Sequence, residues 1–352
     1  MGVTLASGVF RVMEEKFVIS ASRTKDLVRV SPGRLAEILN GNVPARFGLG
    51  MKPQLLQLES IGALVIWTKD PANMMIHPLL HEVLERYVED HGGIIILNLT
   101  VTGLGGSALE PGLPTVDSVR NATEAVVDRE LVRPEGIILR FDPLVRALLP
   151  GGILLGNISI EVFNDVLEAF YPMGIARIKT SLVDDRYAHV PERIGRLGFM
   201  LDLPDTEWLE GFYEEMASQC RRFGARLDIC CHPESFVTGE TNGCVDGRMI
   251  NELLEDARAS WRVTTTLHND IGRQRPTCRC TYSRDIGYSP GFKTCFKNHG
   301  ACIYCYSQKN LRGTAIDRAT ELLREMKERT GGKPAPDCTC RGNRRPQSDE
   351  RR

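Results

Sequence analysis

The stretch Ile94–Thr102, with the sequence IIILNLTVT, decides the fold of this chain. It is an almost unbroken run of aliphatic and β-branched side chains, which is typical of a buried strand. Five further segments have the same character and are predicted to be strands: Phe17–Ser20, Ala63–Trp67, Gly136–Phe141, Ile175–Val183 and Ala225–Cys230.

Segments with the apolar spacing of helices lie between and after these strands. The predicted helices are Ile76–Asp90, Thr115–Leu131, Ile160–Tyr171, Asp205–Phe223, Arg248–Arg258 and Ile316–Arg329. Alternation of strand and helix predicts parallel pairing through right-handed crossovers. We therefore expect an α/β protein, a partial or closed β/α barrel of about six parallel strands with a cysteine-rich segment after it.

The composition is that of a globular protein. The chain has 352 residues, of which 42% are hydrophobic and 25% charged, so it is long and apolar enough to bury a core. The net charge of −1 gives no strong nucleic-acid signal and no attraction to an anionic membrane. Residues 1–10 lack the pattern of a secretory signal, and no apolar stretch is long enough to span a bilayer, so a cytoplasmic protein is expected.

Polar or charged residues follow nearly every predicted strand. Because the carboxyl ends of parallel strands share one edge, these side chains are expected to converge on one functional rim. The alternative is that each of them only ends a strand or caps a helix. The rim candidates are Ser22, Arg23, Lys69, Thr102, Arg140, Asp142 and Asp184.

Eleven cysteines all lie at or after Cys220. Without an export signal they are not expected to form disulfides, so they are metal ligands, catalysts or bystanders. The segment 294–308, TCFKNHGACIYCYSQ, contains Cys295-x6-Cys302-x2-Cys305. Three close cysteines without an obvious fourth suit an iron–sulfur cluster in which one iron keeps an open site. Structural zinc is the alternative, and it would need a fourth ligand such as His299.

A second group of cysteines precedes this triplet. The segment 277–287, TCRCTYSRDIG, contributes two thiols, and the loop after the sixth strand contributes two more. Four thiols on one side of the barrel are enough for a fully ligated cluster. The predicted set is Cys231, Cys244, Cys278 and Cys280. The alternative for the cysteines of that loop is that they are small buried residues.

These motifs, together with several earlier elements, resemble a widespread bacterial domain family of unknown function. That family carries a radical-SAM-type motif, Cys-x3-Cys-x2-Cys-Tyr, near its C-terminus. The matching earlier elements are Ile19–Arg23 with Asp26, Ile66–Pro71, Thr102 and Gly103, Glu110 and Pro111, Arg140–Pro143, and Ser181–Asp184.

This chain departs from the family pattern in two places. Six residues, not three, separate the first two cysteines of the triplet. The family's Cys-Ala-Glu element is CCHPE here, so either Cys230 or Cys231 matches its thiol.

The resemblance implies a radical S-adenosylmethionine (SAM) enzyme. In such enzymes three thiolates hold a [4Fe-4S] cluster whose fourth iron binds SAM, and an electron from the cluster cleaves SAM to begin radical chemistry on a substrate. It further implies a small, anionic substrate, a second [4Fe-4S] cluster that relays electrons or supplies sulfur, and an electron donor such as flavodoxin or ferredoxin.

The resemblance also suggests roles for individual residues. Tyr304 would lie beside the adenine of the cofactor, and Ser22 and Thr102 are further candidates for cofactor contacts. The charged rim residues are the catalytic candidates: cations would hold a carboxylate or another anionic group, and aspartates would orient them, bind a ribose hydroxyl or handle a proton. The alternative is an inner ring of structural ion pairs. The catalytic candidates are Arg23, Lys69, Arg140, Asp142 and Asp184.

We expect three parts along the chain: a barrel over 1–270, a cysteine-rich iron–sulfur segment with a terminal helix over 271–330, and a disordered basic tail over 331–352. Cys338 and Cys340 fall in that tail, where exposure is more plausible than ligation. Two other functions stay open at this point. One is a non-catalytic iron–sulfur electron carrier or sensor, and the other is a zinc-stabilised barrel hydrolase that uses rim carboxylates.

Overall fold

The computed structural model describes residues 13–48, 50–149, 152–230, 243–268, 277–295, 300–307 and 314–329. The strands in these residues are β1 (Glu14–Ala21), β2 (Ile61–Thr68), β3 (Ile94–Thr100), β4 (Ile137–Leu144), β5 (Arg146–Leu148), β6 (Leu154–Gly156), β7 (Arg177–Leu182), β8 (Met200–Leu201), β9 (Arg226–Ile229), β10 (Trp261–Val263) and β11 (Arg284–Asp285). The α-helices are α1 (Leu27–Val30), α2 (Pro32–Leu39), α3 (Asn73–Ile76), α4 (Pro78–Glu89), α5 (Val116–Asp128), α6 (Ile160–Phe170), α7 (His189–Arg196), α8 (Thr206–Arg222), α9 (Gly247–Asp256) and α10 (Thr314–Arg329).

Seven strands form a parallel sheet in the order β10-β1-β2-β3-β4-β7-β9, and this sheet curls into a half-barrel. The predicted α/β class and partial barrel are confirmed, and the six predicted strands correspond to β1, β2, β3, β4, β7 and β9. The sequence pattern does not predict β10, because its three residues are too few to show a period. β11 pairs with β1 next to β10, so the late chain returns to the first strand.

The sheet is buried on both faces. On β3, Leu97 and Leu99 pack into the core beneath the outer helices, whereas Ile96 points to the inner face and packs with α9. A strand covered on both sides needs apolar side chains at nearly every position, which explains the almost unbroken run at Ile94–Thr100.

Helix boundaries follow from capping side chains near the predicted starts. The hydroxyl of Thr115 accepts a hydrogen bond from the backbone N–H of Ser118 at the start of α5. Ser159 caps α6 in the same way, and the carboxylate of Asp205 caps α8. These acceptors satisfy backbone donors that a helix leaves unpaired in its first turn.

A second apolar core attaches the segment that carries Cys295, Cys302 and Cys305, called here the triplet segment, to the barrel. It combines Ile303 and Tyr304 with residues of α7 and α10 and with the short antiparallel sheet β6-β5-β8. The backbone N–H of Ala301 donates to the carbonyl of Pro111 at 3.1 Å, and that of Ile303 donates to Leu109 at 2.9 Å. The late cysteine segment therefore lies against the loop that follows β3.

The division at residue 270 stays a prediction, and the basic tail lies outside the described residues. Within the described residues, no helix is both long and apolar enough to cross a bilayer.

Replacing Phe163 with alanine is expected to destabilise the fold by about 3–5 kcal/mol, because a fully buried ring is lost and a cavity remains. In the wild type this ring packs edge-to-face on Phe141, with the centroids 5.2 Å apart. Urea unfolding of the full chain measures the change. Leu154→Ala is the control: this side chain is 51% exposed, so the free energy of unfolding should change by at most about 0.5 kcal/mol. Equal unfolding midpoints for the two variants would contradict this description of the core.

Candidate functional site

A cavity of about 480 Å³ lies at the carboxyl ends of the parallel strands. Its volume is within the range of small-molecule and cofactor pockets. Cysteines from both predicted groups line it, and Cys230, which is outside the predicted set, lines it too; the predicted ones are Cys244, Cys278, Cys280, Cys295, Cys302 and Cys305. Curling of the sheet therefore brings both groups to one cavity.

Six of the seven predicted rim residues line the same cavity, as does the predicted cofactor contact Tyr304; the six are Ser22, Arg23, Lys69, Arg140, Asp142 and Asp184. Thr102 is not among the residues that line it. Its buried hydroxyl instead donates to Glu110 Oε1 at 2.7 Å, behind the wall of the cavity. The catalytic and cofactor roles of these residues stay predictions.

The triplet segment is held by contacts to its backbone. The N–H of Cys305 donates to the carbonyl of Cys302 at 3.0 Å, which closes a turn between the two thiols. Arg29 Nη2 donates to the carbonyl of Gly300 at 2.8 Å. A Cβ at Gly300 would lie 2.6 Å from Arg29 Nη1 and 2.7 Å from the carbonyl oxygen of Gly112, so only glycine permits this approach. Arg193 donates to the carbonyl of Cys305.

Burial raises the pKa of the Cys302 thiol, although the ammonium of Lys69 acts in the opposite direction. Burial also raises the pKa of Cys295. Both groups are therefore thiols at neutral pH, and binding a metal would require each of them to lose its proton. Sulfur donors of this kind favour iron–sulfur clusters, zinc or copper(I).

Glu110 organises the wall beside the triplet. Its Oε1 accepts hydrogen bonds from Lys69 Nζ at 2.7 Å, from Thr102 and from the hydroxyl of Tyr304. Burial is the largest single influence on the pKa of Lys69 and would lower it, but the charges of Glu110, Cys302 and Asp142 together with the hydrogen bond to Glu110 raise the pKa. Burial and the same carboxylate raise the pKa of Tyr304. Lys69 is therefore a cation and Tyr304 a neutral donor.

Sequence reasoning includes Glu110 in the family resemblance but not among the site residues. It comes after the strand end at Thr102, in a loop without regular spacing. Its partners Lys69 and Tyr304 are 41 and 194 residues away in sequence. Only the fold brings them together.

The second group of cysteines lies against the inner face of the sheet. Cys230 Sγ is 3.7 Å from Cys244 Sγ, while Cys231 lies outside the described residues. The N–H of Thr281 donates to the carbonyl of Val245 at 2.9 Å, which holds the Cys244 and Cys280 segments together.

Gly243 allows these two segments to approach closely. A Cβ at this position would lie 2.4 Å from the Cα of Cys280. Because that neighbour is backbone, a larger residue would have to push the segments apart.

The charged rim residues have partners within the wall. Arg140 donates to Asp142, which also accepts from the hydroxyl of Ser181. Asp184 accepts from Arg186 Nη2 at 2.8 Å. The Arg140–Asp142 pair is of the kind that the structural alternative expects, and Arg140, Asp142 and Asp184 nevertheless line the cavity.

The other cysteines differ in their positions. Cys220 lies in α8 within the main core, and burial raises the pKa of its thiol to about 12. Cys338 and Cys340 lie outside the described residues, as does His299.

Among the residues described, no three His, Cys, Asp or Glu side chains are arranged to hold a single metal ion.

Residues 18–307 match the family described as a domain of unknown function, DUF1848. The match spans most of the chain, so this protein belongs to that family. The resemblance to a bacterial family of unknown function is thereby supported, whereas its radical-SAM character is not addressed by the match.

Comparison with solved structures finds a crystal structure described as a candidate alpha-L-fucosidase from Bacteroides thetaiotaomicron. It has 8% sequence identity and a TM-score of 0.28, and the alignment covers 74% of this chain and 91% of that one. A search of curated proteins finds no match.

Replacing Glu110 with alanine is expected to cost about 3–5 kcal/mol of unfolding free energy, because the buried Lys69 ammonium loses its carboxylate. Urea unfolding measures the loss. The exposed pair Arg34–Glu37 supplies the control: Glu37→Ala should cost at most about 1 kcal/mol. Adding Lys69→Met to Glu110→Ala should recover part of the loss, since no unpaired charge remains buried. A double variant no more stable than Glu110→Ala would contradict this explanation.

Proposed function

We propose that this protein is a radical SAM enzyme that acts on a small anionic substrate. The observation that carries the proposal is the convergence of two cysteine groups and several cations on one cavity at the carboxyl ends of a parallel half-barrel. Ligands bind at this edge in parallel β/α folds.

The donor set suits the implied cofactor. Cys295, Cys302 and Cys305 are three sulfur ligands, which would leave one iron of a [4Fe-4S] cluster for SAM. When bound, that cluster supplies the electron that cleaves SAM and begins radical chemistry.

Residues of the chain would position the reactants. Lys69, charged and held by Glu110, faces the cavity beside Cys302 and suits a carboxylate of the cofactor or substrate. Tyr304 supplies a planar ring fixed by its hydrogen bond to Glu110. The strands and the covering triplet segment would shield the reactive centre from water, which limits side reactions.

The second cysteine group would hold an auxiliary [4Fe-4S] cluster with four ligands. Cys244, Cys278 and Cys280 supply three thiols, and we assign Cys230 as the fourth because its sulfur lies 3.7 Å from that of Cys244 and it lines the same cavity. A substrate in this cavity would lie next to both clusters. Such an arrangement suits either electron relay or sulfur donation. A flavodoxin or ferredoxin as electron donor and a cytoplasmic location complete the proposal, since reduced thiols persist there.

Anaerobic reconstitution is expected to give a brown protein with about eight iron atoms per chain, four for each cluster. With dithionite and SAM it should release 5′-deoxyadenosine, measured by chromatography. Cys302→Ala should abolish this release, because it removes a ligand of the SAM-binding cluster. Cys338→Ala, in the basic tail, should leave the release nearly unchanged.

Other results would support the competing functions. A brown protein that never cleaves SAM would point to an electron carrier or sensor. A colourless protein that retains zinc after anaerobic purification would point to the zinc-stabilised hydrolase. Either result would overturn the proposed enzyme.

Gly243→Ala should lower the iron content from about eight towards about four atoms per chain, because the added methyl separates the Cys244 and Cys280 segments. Iron and sulfide analysis measures the loss. Gly211→Ala is the matched control: it lies in α8 with no atom within 4 Å of the added methyl, and it should keep the full iron content. Equal iron content in both variants would refute the assignment of the auxiliary site.

A further inference from the structure

Trp67 lies near two guanidinium groups on the inner face of the sheet. Its ring centroid is 5.0 Å from the Cζ atom of Arg140 and 5.9 Å from that of Arg23. Its indole N–H donates to the hydroxyl of Ser20 at 3.1 Å, and Ser20 donates to Asp285 at 3.1 Å. The ring is thus fixed by a hydrogen bond at its edge and by cations near its faces.

The guanidinium of Arg140 is oriented by two groups at once. Nη1 donates to Cys244 Sγ at 2.7 Å, and Nη2 donates to the carboxylate of Asp142. Ser181 donates to that same carboxylate, which holds it in place. The carbonyl of Cys244 accepts from Asn98 Nδ2 at 3.0 Å, so the cysteine is held from the sheet side as well.

We infer that Arg140 is a positioning residue that tunes the auxiliary cluster through its hydrogen bond to the sulfur of Cys244. This inference rests on the proposed function, because it requires the second cluster. Reduction adds negative charge to a cluster, and an N–H donor on a ligand sulfur stabilises that charge. Arg140 therefore raises the reduction potential of the auxiliary cluster.

The choice of arginine follows from this geometry. Its planar fork reaches a sulfur and a carboxylate together, while its flat face lies near the Trp67 ring. Lysine has a single nitrogen and would keep the charge without holding both partners. Arg23 is bound to Ser283 and Asp285 and adds a second buried cation near the same cysteines.

The test is a redox titration of the full-length chain, reconstituted anaerobically and followed by electron paramagnetic resonance. The background Cys295→Ala, Cys302→Ala, Cys305→Ala leaves only the auxiliary signal. In this background, Arg140→Met should lower the reduction equilibrium constant by about tenfold, which is about 59 mV for one electron. Arg140→Lys should recover part of the shift, because it restores charge without the fork.

Arg146→Met is the matched control. Arg146 also pairs with a carboxylate, Asp202 at 2.8 Å, and lies 5.8 Å from the ring of Trp208, but it belongs to the short antiparallel sheet. Its replacement should leave the potential unchanged. If Arg140→Met fails to assemble a cluster, the Arg140→Lys potential decides.

The inference would be overturned if the reduction equilibrium constants of the Arg140→Lys variant and of its parent differed by less than a factor of two. A wild-type chain that cleaves SAM but binds only about four iron atoms would also overturn it, while leaving the SAM-binding site intact. Conversely, a shifted auxiliary potential in a protein whose wild type does not cleave SAM would support the role of Arg140 and refute the proposed enzyme.

Discussion

The carboxylate of Asp285 joins two parts of the chain that are 262 or more residues apart, since it accepts hydrogen bonds from the backbone of Arg23 and the hydroxyl of Ser20. This contact and the pairing of β11 with β1 return the late chain to the first strand. The cysteine segments on either side are thereby placed over the carboxyl ends of the sheet. A motif near the end of the chain can cover the mouth of the half-barrel because order in space differs from order in sequence.

Each cysteine group lies beside cations from the strand ends or from the covering segments. Lys69, Arg29 and Arg193 adjoin the triplet, whereas Arg23 and Arg140 adjoin the second group. Several of these cations are paired with carboxylates or carbonyls, so burial of charge is compensated locally. The same contacts that stabilise the buried charges also orient them towards sulfur, and structure and site chemistry therefore depend on one set of interactions.

Much of the fold is predictable because periodicity is a local property. The run at Ile94–Thr102 needs apolar residues on both faces, and its parallel neighbours share that need. Short elements such as β8 and β10 escape prediction, since two or three residues cannot show a period. Whether the sheet closes or stays open depends on curvature summed over all strands, which no single segment encodes.

The sequence by itself determined the order of the six main strands and of the longer helices, the parallel class, and the residue types that collect at the strand ends, because these follow from spacing along the chain. Only the tertiary structure decided the contacts within the site. It placed Cys230 against Cys244, Thr102 behind the cavity wall, and Glu110 between Lys69 and Tyr304. The physical reason is that hydrogen bonds and charge pairs form over a few ångströms in space, and the curl of the sheet sets that distance independently of separation in sequence.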